Sequence, residues 1–314
     1  MRDAVVTVFG ASGFIGRHVV LRLARRGARV RAVTRDPDRA GHLRPLGEVG
    51  QIALIPLEGD DRAAIEKAFG VGEVTHSVNL VGILHERRSG DFDAVHRDFA
   101  GEVAAVASAM GVRSHVHLSA IGADANSKSA YARSKAGGEA AVRRAAPGAA
   151  ILRPSVVFGP GDGFFVRFAE MAAMSPFLPL VDGGRTRFQP VYVGDVADAV
   201  VTCLEQRRGD LFELGGPKIY TFEELLRYLL RVLNRRRALL KLSSGMLRLP
   251  ARVMEILPEP PLTRDQLKLL EQDNVVAAEA RTLLDLGIAP TPLEAVVPSY
   301  VRGYARPRLA MPVA

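Results

Sequence analysis

The chain has one cysteine, Cys203, no apolar run long enough to span a bilayer, and no acidic residue between Leu225 and Met254. Each shortage excludes something. A single cysteine cannot form an internal disulfide, which points to a reducing compartment. Its setting, Val-Thr-Cys-Leu on an expected helix, reads as a small buried apolar residue. A spanning helix needs about 18–20 apolar residues, and Met1-Arg2-Asp3 leads into a strand without a signal-peptide pattern. The expectation is a soluble protein of the cytoplasm or a matrix-like compartment.

The missing acidic residues leave eight basic ones together (Arg227, Arg231, Arg235, Arg236, Arg237, Lys241, Arg248 and Arg252), which account for the whole net charge of +8. So local an excess implies a localised acidic partner better than a protein that coats nucleic acid. Arg227, Arg231 and Arg235 form an i, i+4, i+8 row beside Leu226, Leu229, Leu230 and Leu233. That pattern fits a solvated helix packed on its own domain. It also fits an interfacial segment, 225–254, peripheral on the inner face of a membrane with anionic lipid. There is no internal repeat or low-complexity tract.

What is present is alternation. Strands are expected at Ala4–Phe9, Arg29–Thr34, Gln51–Leu57, Val74–Val81, Val112–Ser119 and Ala149–Phe158, with helices at Phe14–Arg26, Phe92–Met110 and Ala130–Ala145. Near-continuous Val/Ile/Leu strands alternating with helices predict an α/β fold: a doubly wound parallel sheet, the Rossmann arrangement. A helix over Phe164–Met174, a short strand Gln189–Val193 and a helix around Asp195–Gln206 follow. Prolines at Leu257-Pro-Glu-Pro-Pro261 and Ala289-Pro-Thr-Pro292 then separate short helices. At 314 residues and 48% hydrophobic, the chain is expected to form one large domain (1–157 and 189–216) and a smaller, mainly helical C-terminal lobe (158–188 and 217–314).

Gly10-Ala-Ser-Gly13-Phe-Ile-Gly16 joins the first strand to the first helix. Glycines there permit a tight turn and close backbone approach to a pyrophosphate, and the helix start at Phe14 and Ile15 offers free N–H groups. Ser12 belongs to the same loop. The end of the second strand chooses the cofactor, since an acid there holds a ribose 2′-hydroxyl and an arginine favours a 2′-phosphate. Arg35 stands there, Arg17 offers a second positive charge, and Asp36 either competes or caps the next helix. NADP(H) is favoured over NAD(H). Asp60 is a neighbour of the adenine or a helix cap, and Leu80, Val81 and Gly82 mark a strand end where backbone can pass close to a cofactor.

Tyr131-Ala-Arg-Ser-Lys135 places a phenol and an ammonium on one helical face. A lysine charge there is expected to lower the phenol pKa and make it an acid/base. His115 and His117 share a strand face, but no third ligand accompanies them and no metal is expected.

With the loop, Ser119 and the Tyr131/Lys135 pair in order, the chain resembles the extended or atypical branch of the short-chain dehydrogenase/reductase superfamily. Leu152-Arg-Pro-Ser-Val-Val-Phe-Gly159 and Pro190-Val-Tyr-Val-Gly-Asp-Val196 resemble that branch's later signatures, placing Pro154, Val156 and Val157 near the nicotinamide. More closely, Phe92-Asp-Ala-Val-His-Arg97, His117-Leu-Ser-Ala-Ile-Gly-Ala-Asp124, Ser129–Lys135 and 262–276 resemble the NAD(P)H-binding accessory subunit of respiratory complex I. The resemblance implies that Tyr131 exchanges the substrate proton, Lys135 binds the nicotinamide ribose and Ser119 orients a carbonyl. It also implies partners among complex I subunits or quinone-pathway proteins, and a cofactor held without electron transfer. The alternative is a free-standing NADP-dependent oxidoreductase or epimerase using the same three residues on a small or lipid-like substrate.

Overall fold

Runs such as Val5-Val-Thr-Val-Phe9 are buried almost throughout, so their strands lie inside a sheet covered on both faces. The computed structural model describes residues 1–70, 72, 74–243, 245 and 263–305. In chain order the first half gives β1 (Val5–Phe9), α1 (Phe14–Arg25), β2 (Arg29–Thr34), β3 (Ile52–Pro56), α2 (Arg62–Phe69) and β4 (His76–Asn79). It continues through α3 (Asp91–Asp93), a π-helical segment Ala94–Phe99, α4 (Ala100–Ala109), β5 (Ser114–Leu118), α5 (Ala130–Ala145) and β6 (Ala150–Pro154). Then come β7 (Val157–Phe158), α6 (Phe165–Met174), β8 (Phe177–Val181), β9 (Arg187–Phe188), β10 (Val191–Tyr192), α7 (Val193–Gln206) and β11 (Leu211–Leu214). β12 (Tyr220–Thr221), α8 (Phe222–Val232), β13 (Ala238–Leu242), α9 (Arg264–Leu269) and α10 (Leu293–Val301) complete the elements used below.

Seven strands form the main sheet in the order β11-β6-β5-β4-β1-β2-β3, and each pairing is parallel. The order reverses between β1 and β4, which opens a crevice at their carboxyl ends. α1 and α7 cover one face through Val19, Val20, Leu23, Val196, Val200 and Leu204. Ile65, Phe69, Val103 and Val106 of α2 and α4 cover the other, packed with Phe9 and Val33.

Three expectations change in detail. The short strand near Gln189–Val193 pairs with β7 outside the main sheet, and the sheet is completed instead by β11 beside β6. The stretch Ala149–Phe158 is two strands, because the Ser155 hydroxyl and the Val156 N–H turn away to Asn274 Oδ1. The helix expected over Phe92–Met110 contains the π segment. That segment meets α5 at backbone contact, where a Cβ on Gly138 would stand 2.0 Å from the His96 carbonyl oxygen.

The lobe has its own core of Phe158, Phe165, Leu178, Leu180, Leu293 and Val297. Leu225, Leu226, Leu229, Leu230 and Leu233 are buried in it as well. The α8 leucines are therefore not a free apolar face for a membrane; filling the lobe core accounts for their spacing. β13 runs parallel to β8, and Arg236, Leu240 and Lys241 are exposed on and beside it. Residues 244 and 246–262, with the end of the basic stretch and the 257–261 prolines, lie outside the described residues. No helix among the described residues is long and apolar enough to cross a membrane.

Candidate cofactor site

The glycine loop closes the crevice at β1. Gly10 has φ +77°, a conformation that disfavours a side chain, and a Cβ there would stand 3.1 Å from the Leu80 carbonyl carbon and 3.2 Å from the Val81 nitrogen, just past β4. A Cβ on Gly16 would stand 2.2 Å from the Gly10 carbonyl oxygen, so α1 can approach the loop only with glycine there. Gly13 is the α1 N-cap, and no side chain takes up the first-turn amides of Phe14 and Ile15. Such a helix start offers unpaired N–H groups and a positive dipole end to an anion.

At the end of β2, Thr34 Oγ1 lies 3.2 Å from the Ser12 hydroxyl, tying the loop to the strand. Asp36 is engaged as a cap: its carboxylate accepts the Arg39 N–H at 3.1 Å and pairs with the Arg39 guanidinium at 3.4 Å. Arg35, beside Asp36, is exposed at the strand end. Arg17 donates to the Pro160 carbonyl and lies over the Phe14 ring at 5.5 Å. It fastens the loop to the Gly159–Gly163 turn. Asp60 is exposed and does not cap α2; Asp61 does, accepting the Ala64 N–H at 2.8 Å.

On the other side of the crevice, Tyr131 and Lys135 share the inner face of α5. The Lys135 ammonium is 5% exposed. It stands 5.9 Å from the Tyr131 ring centroid and donates to the Leu118 carbonyl at 3.2 Å. An ammonium has three donors, so this bond leaves capacity for a ribose. A Cβ on Gly82 would lie 3.4 Å from Lys135 Nζ and 3.5 Å from His96 Nε2, which locates that glycine at the same opening. Burial pushes the Lys135 amine down to about 8, against the opposing pull of Glu139. The Tyr131 phenol does not follow the expected downward shift: burial pushes it up to about 12.

The Ser119 hydroxyl is turned to a buried carboxylate. The residue is 3% exposed and donates to Glu139 Oε1 at 2.5 Å. Glu139 lies about 12 Å farther along the helix axis than Tyr131, at 1.5 Å per residue. Arg153 holds the same carboxylate with two bonds of 2.7 Å and reaches Glu213 at 3.3 Å. Of the later signature, Pro154 accepts the Ile121 N–H at 3.0 Å and Val156 accepts the Val191 N–H at 3.0 Å. Val157 packs half-buried on the main core.

Three contributors escape a reading of the sequence. His96 is 1% exposed, stacks on Phe92 at 5.5 Å and meets the Tyr131 ring edge-on at 5.3 Å. The Ile83 N–H donates to its Nε2 at 3.1 Å, so the proton sits on Nδ1 and donates to the Ser134 hydroxyl at 2.8 Å. Ser134 passes the chain on to the Tyr131 carbonyl at 2.8 Å. Asp162 organises the Gly159–Gly163 turn by accepting the Gly159, Phe164 and Val166 N–H groups, and Tyr300 of α10 donates to it. Asp265 reaches α5 from the far end of the chain. His96 and Asp265 lie in stretches that carry the resemblance, 92–97 and 262–276, but only the fold brings them to α5; His96 sits in the π segment, a feature common at functional sites.

His115 and His117 are neutral and internal. His115 Nδ1 lies 2.8 Å from the Ser77 hydroxyl, and His117 Nδ1 lies 3.5 Å from Asn79 Nδ2.

The model of the NAD dependent epimerase/dehydratase family matches residues 6–215. The mitochondrial NADH dehydrogenase [ubiquinone] 1 alpha subcomplex subunit 9 of Arabidopsis thaliana is 33% identical over 304 residues, covering 92% of this chain and 75% of that protein. The ceramide reductase of Caulobacter vibrioides is 32% identical over 241 residues, 76% of this chain and 73% of that one. Among solved structures, the dTDP-glucose 4,6-dehydratase of Streptomyces venezuelae, with NAD and TYD bound, superposes with a TM-score of 0.72. That pair is 20% identical and covers 96% of each chain.

Burial gives the site an acid sensitivity. Desolvation pushes His96 down to about 3 and His115 to about 4, below the ordinary 6.5. Below pH 6.5 the unfolded chain therefore takes up protons that the native chain refuses, so stability falls as pH drops toward 4. Each such histidine contributes a slope of up to about 1.4 kcal/mol per pH unit. Urea unfolding at pH 7, 6 and 5 should show this loss, with a shallower slope in His115→Gln. A flat stability between pH 6.5 and 5 would show that these histidines are not buried neutral.

Proposed function

The chain belongs to the NAD dependent epimerase/dehydratase family, and from that premise we propose that it holds NADP(H) as a structural cofactor, as an accessory subunit of a membrane-bound respiratory NADH dehydrogenase. Gly10, Ser12, Gly13 and the α1 start would take the pyrophosphate, Arg35 the 2′-phosphate, and Tyr131 with Lys135 the nicotinamide ribose. Leu80, Val81, Gly82, Pro154, Val156 and Val157 would line the nicotinamide half. When bound, the group offers a hydride donor or acceptor. The residues around it are arranged to bind and exclude water more than to turn over a carbonyl.

The observation that carries this reading is the Ser119 hydroxyl. It is committed to the buried Glu139–Arg153 pair, so it cannot also donate to a substrate oxygen beside Tyr131. The raised phenol pKa works in the same direction, since a proton held to about 12 makes a poor base near neutrality. Similarity to a respiratory-complex subunit over 92% of this chain supports the partner. A second reading, reduction of a lipid-like carbonyl, is favoured by the similarity to a ceramide reductase and by the shared face of Tyr131 and Lys135.

Replacing Tyr131 with phenylalanine separates the two. Under the first reading the variant retains cofactor, assembles with its membrane complex and supports respiration. Under the second it loses NADPH oxidation with long-chain keto lipids. Normal respiration together with a blocked lipid reduction would overturn the first reading.

The cofactor preference rests on Arg35. NADPH at 100 times its Kd should stabilise the fold by about 2.7 kcal/mol, with NADH at the same concentration giving less. Arg35→Ala should remove the difference. Equal melting shifts for the two nucleotides in the native chain would refute the preference.

The exposed surface beside β13 is proposed to meet an anionic membrane surface or an acidic face of the same membrane complex. Met174, Phe177 and Leu240 are exposed there at 83%, 49% and 40%, next to Arg236 and Lys241. Arg235 and Arg237 are tied to the Tyr304 and Ala172 carbonyls, so the variant of choice changes Arg231, Arg236 and Lys241 to glutamine. Each basic residue near an anionic leaflet contributes about 1 kcal/mol, and salt weakens the attraction. In flotation with anionic vesicles over a salt series, the variant should bind markedly less than the native chain. Equal recovery would mark this face as ordinary surface.

A further inference from the structure

The helix that carries Tyr131 and Lys135 is begun by a residue far away in sequence. Ser129 is the α5 N-cap, accepting the Ala132 N–H at 3.2 Å. The Ser129 hydroxyl donates to Asp265 Oδ2 at 2.6 Å, the Ala130 N–H to Oδ1 at 2.9 Å, and the Tyr131 N–H to Oδ2 at 3.1 Å. An α-helix leaves its first amides without internal partners, and its positive end favours a carboxylate. Asp265 supplies both needs at once.

The carboxylate is itself held firmly. α9 opens with a capping box between Thr263 and Gln266, and Leu267 is 2% exposed against Val181 of the lobe. Lys268 donates to the Lys128 carbonyl at 3.2 Å, just ahead of the α5 cap. Farther on, Asp273 pairs with Arg187 at 2.7 Å. Asn274 then takes the Ser155 hydroxyl and the Val156 N–H where β6 ends. Residues 263–274 thus join the start of α5 to the end of β6. Those are the two elements that flank the nicotinamide half of the proposed cofactor.

We propose that Asp265 is a positioning residue that fixes the first turn of α5, making segment 263–274 a latch on the nicotinamide half of the dinucleotide. The proposal rests on the cofactor reading above. Without the carboxylate, two first-turn amides and the Ser129 hydroxyl lose their acceptor. The turn then opens, and the Tyr131 ring moves out of its edge contacts with Phe92 and His96. The adenosine half would be seated on the glycine loop and β2, away from the α5 and β6 ends that this segment holds. The latch therefore acts on whole NADPH and spares its adenosine fragment.

The test uses the full chain and two variants, Asp265→Ala and Asp265→Asn. Asparagine keeps the shape and one acceptor oxygen, so it reports even if alanine folds poorly. Release of bound NADPH, followed by its fluorescence during displacement, should be about tenfold faster for alanine and intermediate for asparagine. Affinity for 2′,5′-ADP should stay within about twofold of native, because general unfolding would weaken both ligands alike. Amide exchange at Ala130 and Tyr131 should rise by about the same tenfold without any ligand. Native release rates in both variants, or equal weakening of NADPH and 2′,5′-ADP, would overturn the latch while leaving the cofactor reading intact. A native chain that holds no NADPH would overturn both.

Discussion

Two opposite charges buried one turn apart on α5 govern this molecule. Lys135 and Glu139 are 5% and 6% exposed, and removing such groups from water costs several kcal/mol each unless partners replace the solvent. Glu139 is fully provided for: Ser119 donates to it, Arg153 grips it with two bonds, and Arg153 in turn reaches Glu213. Glu213 accepts the Ala277 N–H at 2.9 Å, so the network runs out to the segment that follows the latch. Lys135 has the Leu118 carbonyl and spare donors. The Glu139 end of this helix face is closed by protein; the Lys135 end keeps donors for a polar ligand.

That asymmetry underlies the proposal of binding without turnover. A serine beside Tyr131 would point a donor at a reacting carbonyl, whereas Ser119 spends its proton on satisfying a buried carboxylate. A hydrogen bond to a charged group is worth about 1.5–3 kcal/mol, so redirecting the serine would leave Glu139 short of a partner. The position is thus held by stability, whatever chemistry the same residue type performs elsewhere.

Much of the fold was legible because its signals are local. The Gly10–Gly16 spacing follows from a strand, a turn and a helix start within one stretch, and the aliphatic strands announce their double burial. Asp36 as a cap and Cys203 as a core residue, 0% exposed, also follow from neighbours in sequence. The rest depends on encounters that no local pattern encodes. Asp265 meets α5 and Asn274 meets Ser155 only after the lobe has folded back on the sheet, and Tyr300 meets Asp162 across 138 residues within the lobe. Arg17 stands beside the loop, and its bond to a carbonyl of the Gly159–Gly163 turn is another encounter that no local pattern announces. The α8 leucines carry the signature of an interfacial helix because a lobe core and a membrane ask for the same amphipathic pattern.

These long-range contacts explain why a cofactor could serve as structure. The first turn of α5, the ends of β4 and β6 and the Gly159–Gly163 turn are each pinned by a residue from a different part of the chain. All of them border the crevice where β1 and β4 part. A dinucleotide lying in that crevice would rest on the elements these pins hold, stabilising the assembled arrangement by mass action at no chemical step. Its affinity would then be set by how well the lobe is docked, and the docking by whether the dinucleotide is present. On the proposed reading, retaining the cofactor keeps the lobe docked, and the diverted serine costs the protein nothing.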